Sequence, residues 1–437
     1  MSRLRILILA PDCNPESVAN PLVGYSHAEA LARIHDVTLV TNPASEEPLR
    51  RAQAPFRSIE VVRMPWLERI ESWFLRSIFK YNFRNQAVTA FIVPFAMAFE
   101  WHAWRAFKDR IFGGEFDVVL RLLPLSTVTP SPVAFFLRNG PTPFVVGPIN
   151  GGLPWPPGFS QADSQKQWIS PLRDLYRHIP FARSTYQCAA AIIAGSSHTC
   201  SELGVHQHKL FFVPENGLSR WIFSSPLRSS APSDRLELIF VGALVPYKAC
   251  DLALRAAAPL LRNRRARFTV VGDGPEWDRL HQITKSLQIE DAVSFVGSVS
   301  HSEVLKLLGK ADALVFPSVH EFGGAVVMEA LAAGAIPIVA DFGGPADTVR
   351  PDLGFKVPLR SENAVVSDIE SILERLADDQ NLVESLRQRG MVYARECLSW
   401  DAKAQTVTRV LNWVLQRGPK PDLPSPKALT AVGASGR

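Results

Sequence analysis

Short apolar segments recur along the chain and alternate with longer stretches of helical periodicity. A first series occupies residues 5–10, 35–41, 117–122, 143–148 and 190–196. A second series occupies residues 236–244, 267–274, 293–297, 313–318 and 336–341. Buried strands that alternate with helices are typical of βαβ units, whose parallel sheet is covered on both faces. The pattern therefore predicts an α/β fold with two doubly wound, Rossmann-like domains.

A stretch rich in serine and proline separates the two series. Residues 219–235 include SSPLRSSAPSD, a composition that suits a connection between domains better than a buried element. We therefore predict a first domain at 1–218 and a second at 219–395. A last amphipathic helix is expected within 396–416 and is predicted to pack back on the first domain. Residues 418–437 lack periodic apolar positions and are predicted to be a disordered tail.

Residues 63–112 depart from this pattern because they concentrate aromatic and basic side chains. The segment holds eight Lys and Arg against four Asp and Glu, so it contributes +4 of the chain's formal charge of +5. Its apolar centre at 87–99 contains Pro94 and is shorter than the roughly 20 residues that a membrane-spanning helix needs. Two interpretations stay open. Amphipathic helices here could lie on an anionic membrane surface, or the aromatic side chains could simply pack into the first domain.

The strongest chemical signal lies at 317–341, where a predicted strand is followed by a glycine-rich turn and a helix. Glu321 lies in the turn, and Glu329 lies about two turns into the helix. Backbone N–H groups at the start of a helix stabilise phosphate or polyol oxygens, and a carboxylate accepts hydrogen bonds from neighbouring hydroxyls. Since ligands bind outside the carboxyl ends of parallel strands, two such domains would face a cleft. This arrangement suits a sugar nucleotide.

The spacing E-F-G-x5-E resembles the signature of the retaining nucleotide-sugar glycosyltransferases of family 4 (glycosyl transferases group 1). Further matching segments follow the family's order: FVGALVPYKACDLALRA, VVGDGPEWDRL, VSFVGSVSHSEVLKLLGKADALVFPS and FGGPADTVRPDLGFKVP. In the first half, KLFFVPENGL looks like the strand beside the family's hinge, and GPINGGLPWPP looks like a loop of one bacterial branch. The resemblance implies a GT-B fold, two Rossmann-like domains facing an interdomain cleft.

The resemblance also assigns roles to individual positions. It implies that Glu321 contacts hydroxyls of the transferred sugar, that Glu329 holds the ribose hydroxyls and that Lys248 binds the diphosphate. Glu321 and Lys248 are the expected catalytic residues. The other expected donor-binding residues are Gly24, Gly242, Gly272, Val296, Phe322, Gly323, Gly324 and Ala325. The expected acceptor-side residues are Asn150, Gly151, Gly152 and Arg121.

Three positions depart from the family's pattern. Ala243 stands where the family usually has an arginine, and Ala249 stands where it usually has a glycine. Residues 121–132 contain no histidine, although many members place one there near the acceptor. Charge on the leaving nucleotide would then be stabilised by Lys248 and helix N-termini, or by an arginine such as Arg121. Four histidines, at 27, 102, 198 and 320, show no catalytic or metal-binding spacing and are expected to be structural or exposed.

The expected activity is transfer of a hexose from a nucleoside diphosphate sugar to a glycan or lipid-linked acceptor, with retention at the anomeric carbon. The sequence shows no cluster of metal ligands, so no metal and no other cofactor is expected. The setting would be bacterial polysaccharide or glycolipid biosynthesis, in the cytoplasm or on the inner face of the membrane, without nucleic acid. Two alternatives remain: a non-catalytic binding or scaffold subunit, which Ala243 favours, and a sugar-nucleotide epimerase of the same fold.

Overall fold

A computed structural model describes residues 3–64, 86–156, 158–159, 179–223 and 234–423. The chain divides into two compact units. Within the described ranges, unit 1 comprises 3–64, 86–152, 179–215 and 403–423, and unit 2 comprises 153–156, 158–159, 216–223 and 234–402.

Unit 1 is built on a parallel sheet, and five of its seven described strands coincide with the first apolar series. Its described strands are β1 Arg5–Leu9, β2 Asp36–Thr41, β3 Ser58–Val61, β4 Val118–Arg121, β5 Phe144–Ile149, β6 Ala191–Ala194 and β7 Leu210–Phe212. They lie in the order β3-β2-β1-β4-β5-β6-β7. The helices between them are α1 Asn20–Ile34, α2 Pro43–Ala52, α3 Gln86–Phe112, α4 Pro132–Phe136, α5 Ala182–Cys188 and α6 Ser197–Glu202.

Unit 2 repeats the architecture with the second apolar series. Its described strands are β8 Leu236–Val241, β9 Ala266–Val271, β10 Val293–Gly297, β11 Ala313–Phe316, β12 Ile336–Ala340 and β13 Phe355–Val357, in the order β10-β9-β8-β11-β12-β13. Its helices are α7 Cys250–Arg262, α8 Trp277–Ser286, α9 His301–Lys310, α10 Ala325–Ala333, α11 Gly343–Thr348, α12 Glu362–Asp378 and α13 Gln380–Tyr393. The last helix, α14, spans Trp400–Val414.

The two predicted parallel sheets are confirmed, but three strands, β3, β7 and β13, lie outside both apolar series. All three are edge strands of their sheets, and none is buried throughout. An edge strand with partly exposed side chains does not need a continuous apolar run, so hydrophobic patterning does not reveal it.

The structural boundaries differ from the predicted ones. The division between the units falls after Glu215 rather than after residue 218, and residues 153–156 belong to unit 2, not to the first domain. The last helix, Trp400–Val414, lies within the expected range of 396–416. Most of the predicted tail, residues 424–437, lies outside the described residues.

The aromatic and basic segment is described only in part, since residues 65–85 lie outside the described ranges. α3 buries Phe99, Ala103, Phe107 and Ile111 in the core of unit 1, a spacing of four residues that places them on one helix face. The packing interpretation therefore holds for this face. Within the described residues, no helix combines the length and apolar character needed to cross a membrane.

His35 ties α14 to the start of the unit 1 sheet. Its Nδ1 accepts a hydrogen bond from the Leu4 N–H at 3.2 Å, and its Nε2 lies 2.8 Å from the Thr408 Oγ1 on α14. The Thr408 hydroxyl itself donates to the Ala404 carbonyl. Only a neutral imidazole with the proton on Nε2 satisfies both bonds. Burial lowers the pKa of His35 to about 4.

Unit 1 should therefore lose stability as pH falls from 6.5 toward 4. The unfolded chain takes up a proton on residue 35 in this interval and the folded chain does not, so the proton favours unfolding. His35→Gln should reduce the loss by about 2 kcal/mol at the acid end, measured by denaturant unfolding across this pH range. His208→Gln, at an exposed histidine of the same unit, serves as the control. Equal acid sensitivity in wild type and His35→Gln would contradict the assignment.

Candidate active site

Three loops of unit 2 carry most of the predicted donor-site residues. Because its strands are parallel, the loops after β8, β9 and β11 leave the sheet at the same edge. They cover residues 242–249, 272–276 and 317–324. This edge is where ligands bind in open α/β sheets.

Lys248 and Glu321 come from two of these loops and meet in an ion pair. The Val319 N–H donates to the Tyr247 carbonyl at 2.9 Å, which holds the two loops together beside the pair. The Lys248 Nζ then hydrogen-bonds to the Glu321 Oε2, and the side chains are 14% and 20% exposed. The Lys248 Nζ also lies 5.0 Å from the centre of the Phe316 ring. The structure thus brings together both residues that the sequence predicted to be catalytic.

The backbone around Lys248 explains one departure from the family pattern. Ala249 adopts a left-handed conformation with φ +53° at the end of the turn Pro246–Lys248. Glycine takes this conformation without strain, whereas an alanine there costs about 1 kcal/mol. Ala249 therefore keeps the turn that glycine would make. Ala243 is exposed and contributes only a methyl group where the family has a cation.

The start of α11 contacts the turn after Glu321 and holds it in place. The Gly344 N–H donates to the Glu321 carbonyl at 3.0 Å, and a side chain at Gly344 would lie 1.9 Å from the Phe322 carbonyl oxygen. Gly324 then turns with φ +56° into α10, which begins at Ala325. Phe322 and Ala325 are exposed, while Gly323 is half-buried and Gly324 is buried.

Glu329 has a partner that the sequence did not indicate. Its Oε1 lies 2.8 Å from the Nε2 of His301, the first residue of α9. This hydrogen bond raises the pKa of His301. Positions 301 and 329 lie on different helices, so no local spacing relates them, and only the packing of α9 beside α10 brings them together.

Gly242 and Gly272 meet where β8 and β9 end. The Gly242 N–H donates to the Val271 carbonyl at 3.0 Å, and the Gly272 N–H donates to the Gly297 carbonyl at 2.9 Å. A Cβ on Gly272 would lie 2.0 Å from the Gly242 carbonyl oxygen. The close approach of the loops thus requires glycine at 272. The neighbouring Val296, at the end of β10, is 39% exposed.

His320 fixes the segment 153–156 to unit 2. Its ring stacks on Trp155 with centroids 4.3 Å apart and an interplanar angle of 14°. Its Nε2 lies 3.0 Å from the Leu153 carbonyl oxygen. Tyr247 also contacts Trp155 edge to face. The loop that carries Lys248 therefore packs against the same tryptophan as His320.

The interpretation of Gly24 was wrong in its placement. A donor-binding role would need Gly24 in a strand-to-helix turn whose backbone N–H groups approach a phosphate, but the residue lies inside α1 and is buried in unit 1. A Cβ at this position would lie 2.5 Å from the Leu123 Cδ1, so glycine makes room for the Leu123 side chain. The residue with positive φ near the helix start is Ala19, at +55°. Packing, rather than approach to a phosphate, accounts for Gly24.

Asn150 and Gly151 belong to a polar network beyond the ends of β5 and β6. The Asn150 amide donates to the Glu215 Oε2 at 2.7 Å and accepts from the Ser196 hydroxyl at 2.6 Å. The Gly151 N–H donates to the Thr199 Oγ1 at 2.7 Å. Gly152 follows as the last residue of this segment in unit 1. The network orients the loop that the sequence assigned to the acceptor side.

Arg121 lies in the core of unit 1. Its side chain is fully buried, its Nη1 donates to the Thr129 carbonyl at 2.8 Å, and it lies 3.8 Å from the Glu100 Oε1. Burial, which outweighs the attraction of Arg121, raises the pKa of Glu100 to about 7. A guanidinium without exposed surface is not placed to contact a diphosphate, so the structure does not supply the missing cation through Arg121.

Comparison with known proteins identifies part of the chain. Residues 226–389 match the family of glycosyl transferases group 1. Unit 2 contains a glycosyl transferases group 1 domain. Lys248, Glu321 and Glu329 all lie within the matched residues. Within the described ranges, no three His, Cys, Asp or Glu side chains are grouped so that they could hold a metal ion.

Two curated relatives illustrate the similarity. The chain is 27% identical over 247 residues to an uncharacterized glycosyltransferase of Methanocaldococcus jannaschii, covering 53% of this chain and 62% of that protein. It is 36% identical over 224 residues to the D-inositol 3-phosphate glycosyltransferase of Kineococcus radiotolerans, covering 47% and 49%. The chain spans about half the length of the curated relatives it matches.

A solved structure extends the fold similarity beyond the group 1 domain. HepE of Anabaena, crystallised in complex with UDP, matches with a TM-score of 0.58 at 17% identity, covering 94% of this chain and 100% of that one. The predicted GT-B fold, with two Rossmann-like parallel sheets, is therefore confirmed.

Gly272→Ala should disrupt the donor-site edge of unit 2. The added methyl clashes with the Gly242 carbonyl and meets a φ of +133°, so unfolding should become easier by about 3 kcal/mol. Gly297→Ala is the matched control, since it also has positive φ, +75°, but nothing lies within 4 Å of its added Cβ. Denaturant unfolding of both variants tests this prediction. Equal destabilisation of the two variants would show that the positive φ alone lowers stability and that the clash with the Gly242 carbonyl does not contribute.

Proposed function

We propose that this protein is a retaining glycosyltransferase of family 4. It transfers a hexose from a nucleoside diphosphate sugar to a glycan or lipid-linked acceptor. The observation that carries the proposal is the contact of Lys248 with Glu321 at the carboxyl edge of the unit 2 sheet. A cation and a hydrogen-bond acceptor for hydroxyls are thereby adjacent, which suits a ligand with a diphosphate next to a sugar.

Lys248 stabilises the charge that develops on the leaving diphosphate. A fixed cation in a partly covered site interacts more strongly with that charge than a solvated one, and it needs no reorganisation during the reaction. Glu321 accepts a hydrogen bond from the Lys248 ammonium group. Donor binding replaces this contact, so that the Lys248 Nζ faces phosphate oxygens and the Glu321 carboxylate accepts hydrogen bonds from sugar hydroxyls.

Glu329 binds the ribose of the donor. Its side chain is 14% exposed. The residue lies just after the first turn of α10, the helix that follows the loop containing Glu321. Neighbouring hydroxyls on a ribose match the two oxygens of one carboxylate. The group 1 match and the complex of the Anabaena protein with UDP support a nucleotide as part of the donor.

The reaction retains the anomeric configuration and needs no metal. The bond between the anomeric carbon and the diphosphate oxygen breaks, and the acceptor hydroxyl forms the new bond on the same face. The proton of the hydroxyl passes to the leaving diphosphate. This course follows from the family resemblance of Glu321, Glu329 and Lys248, and it assigns no protein side chain as a nucleophile.

The acceptor binds on the side of unit 1, near Asn150, Gly151 and Gly152. The polar network of Asn150 with Glu215 and Ser196 sets the orientation of this loop. The name of one relative, D-inositol 3-phosphate glycosyltransferase, includes a polyol acceptor, which supports an acceptor rich in hydroxyls. The setting we propose is bacterial polysaccharide or glycolipid biosynthesis in the cytoplasm.

One observation favours a second candidate, a non-catalytic binding subunit. Ala243 replaces the family's arginine, and Arg121 is buried in unit 1 and does not compensate. Lys248 then stabilises the leaving group without the arginine that the family pattern adds. Such a subunit would bind a nucleotide sugar without releasing nucleotide from it.

Lys248→Ala and Glu321→Ala should each lower turnover about 10²-fold or more, because each removes a group that acts on the reacting part of the donor. Wild type and variants are mixed with a panel of UDP-, GDP- and ADP-sugars and oligosaccharide or glycolipid acceptors. Nucleotide release and the mass of the product are measured. The free energy of unfolding should change by about 1 kcal/mol at most, since the pair is partly solvated.

Lys306→Ala, at a lysine that is 68% exposed and pairs with Glu303, is the matched control and should keep full activity. Wild-type turnover in Lys248→Ala and Glu321→Ala would refute their roles. Donor-induced stabilisation without nucleotide release in the wild type would favour the binding subunit. An altered donor sugar without transfer would identify an epimerase.

We also propose that α3 contacts an anionic membrane surface. Trp101 and Phe112 are 46% and 51% exposed, and both join an aromatic group with Trp104 and Phe136. Arg105 and Lys108 are exposed on the same helix. Aromatic rings at the interface level, with cations beside them, suit a surface that contains anionic lipid.

The paired substitution Trp101→Ala and Phe112→Ala should therefore weaken binding to vesicles of phosphatidylcholine and phosphatidylglycerol. Wild-type binding should fall about tenfold between low and physiological salt, since the Debye length shortens to about 8 Å. Sedimentation with vesicles measures both effects. Val205→Ala removes an exposed apolar side chain elsewhere in unit 1 and should bind normally. Lack of vesicle binding at low salt would leave only the packing role of α3.

A further inference from the structure

His301 occupies a defined position beside Glu329. It is the first residue of α9, directly after Ser300, whose hydroxyl caps the helix by accepting from the Glu303 N–H. From there its Nε2 reaches across to α10 and lies 2.8 Å from the Glu329 Oε1. The helix cap therefore fixes the backbone of His301, and the hydrogen bond to Glu329 fixes its side chain.

Trp221 limits the orientations that the imidazole can adopt. The indole comes from the turn Arg220–Phe223 and meets the His301 ring edge to face, with centroids 5.3 Å apart and an interplanar angle of 90°. An imidazole against this surface keeps its Nε2 directed at Glu329. The ring itself stays 54% exposed, so it is a boundary of the site rather than part of the core.

The charged side chains near His301 pair with other residues, whereas Glu329 pairs with His301. Glu303, on the same helix, pairs with Lys306 at 3.2 Å, and Arg220, beside Trp221, pairs with Asp401. The hydrogen bond to Glu329 is also the main cause of the raised pKa of His301. The imidazole is therefore a donor to one oxygen of the Glu329 carboxylate.

We propose that His301 is a positioning residue that orients the Glu329 carboxylate for the ribose of the donor. This inference rests on the proposed function of Glu329. With the Oε1 held by the imidazole, rotation of the carboxylate is restricted. The Oε2 and the remaining lone pair of the Oε1 stay available to accept from ribose hydroxyls. A carboxylate that is already oriented loses less freedom when ligand binds, so affinity increases.

The specific consequence is discrimination between ribose and deoxyribose. His301 contributes through hydrogen bonds to ribose hydroxyls, so its effect should disappear when a hydroxyl is removed from the ligand. A residue that merely stabilised α9 would affect both kinds of nucleotide alike. Contacts to the phosphates and the base do not involve the Glu329 carboxylate. The comparison of ribo- with deoxynucleotides therefore isolates the contact to the ribose hydroxyl.

The test measures dissociation constants by calorimetry on the full chain with UDP, GDP and ADP and with dUDP, dGDP and dADP. His301→Phe keeps an aromatic ring against Trp221 but has no donor, and it should weaken binding of the preferred ribonucleotide about tenfold. Binding of the matching deoxynucleotide should change less than about twofold. His301→Gln restores an N–H donor and should recover most of the loss.

Two further variants complete the comparison. Lys306→Ala, on the exposed side of α9, should bind like the wild type. In a Glu329→Ala background, His301→Phe should have no further effect, because the residue acts through the carboxylate.

Equal losses for the ribo- and deoxynucleotide, or no loss in His301→Phe, would overturn the inference and leave the proposed function standing. If the wild type binds none of the six nucleotides, the proposed function fails, and this inference fails with it.

Discussion

The hydrogen bond from the Val319 N–H to the Tyr247 carbonyl is the contact on which the candidate site depends. It joins the loop after β8 to the loop after β11, although these loops lie about 70 residues apart in the chain. One residue beyond Tyr247 is Lys248, and two residues beyond Val319 is Glu321. The ion pair between them follows from this backbone contact, which in turn depends on the parallel pairing of β8 with β11.

Both glutamates of the site have a basic partner within unit 2. Glu321 pairs with Lys248, and Glu329 pairs with His301. Two carboxylates at one edge of a sheet would otherwise repel a diphosphate. The two partners differ in chemistry, because the lysine donates from a compact ammonium group whereas the histidine donates from one nitrogen of a planar ring. Each glutamate thus has its own environment, so the two can have distinct roles.

Unit 1 shows how similar residue types serve structure instead. Arg121, at the end of β4, and Glu100, on α3, are both ionisable side chains, yet they are buried with Thr129 and Ser131 as their partners. His35 is buried and neutral, and it connects β1 with α14. Burial removes these groups from contact with a soluble ligand, so their chemistry stabilises the fold. Exposed surface, rather than residue type, separates the candidate site from the core.

The sequence by itself determined the two parallel sheets, because continuous apolar strands alternating with helices allow few other folds. It also determined the positions of Glu321 and Glu329, since the turn and helix between them are local. It did not determine β3 or β13, whose side chains are partly exposed, nor the burial of Arg121 and Gly24. The pairing of His301 with Glu329 was decided by the tertiary structure alone. Those features depend on elements that are distant in the chain and adjacent in space, and local patterns of residues do not encode such contacts.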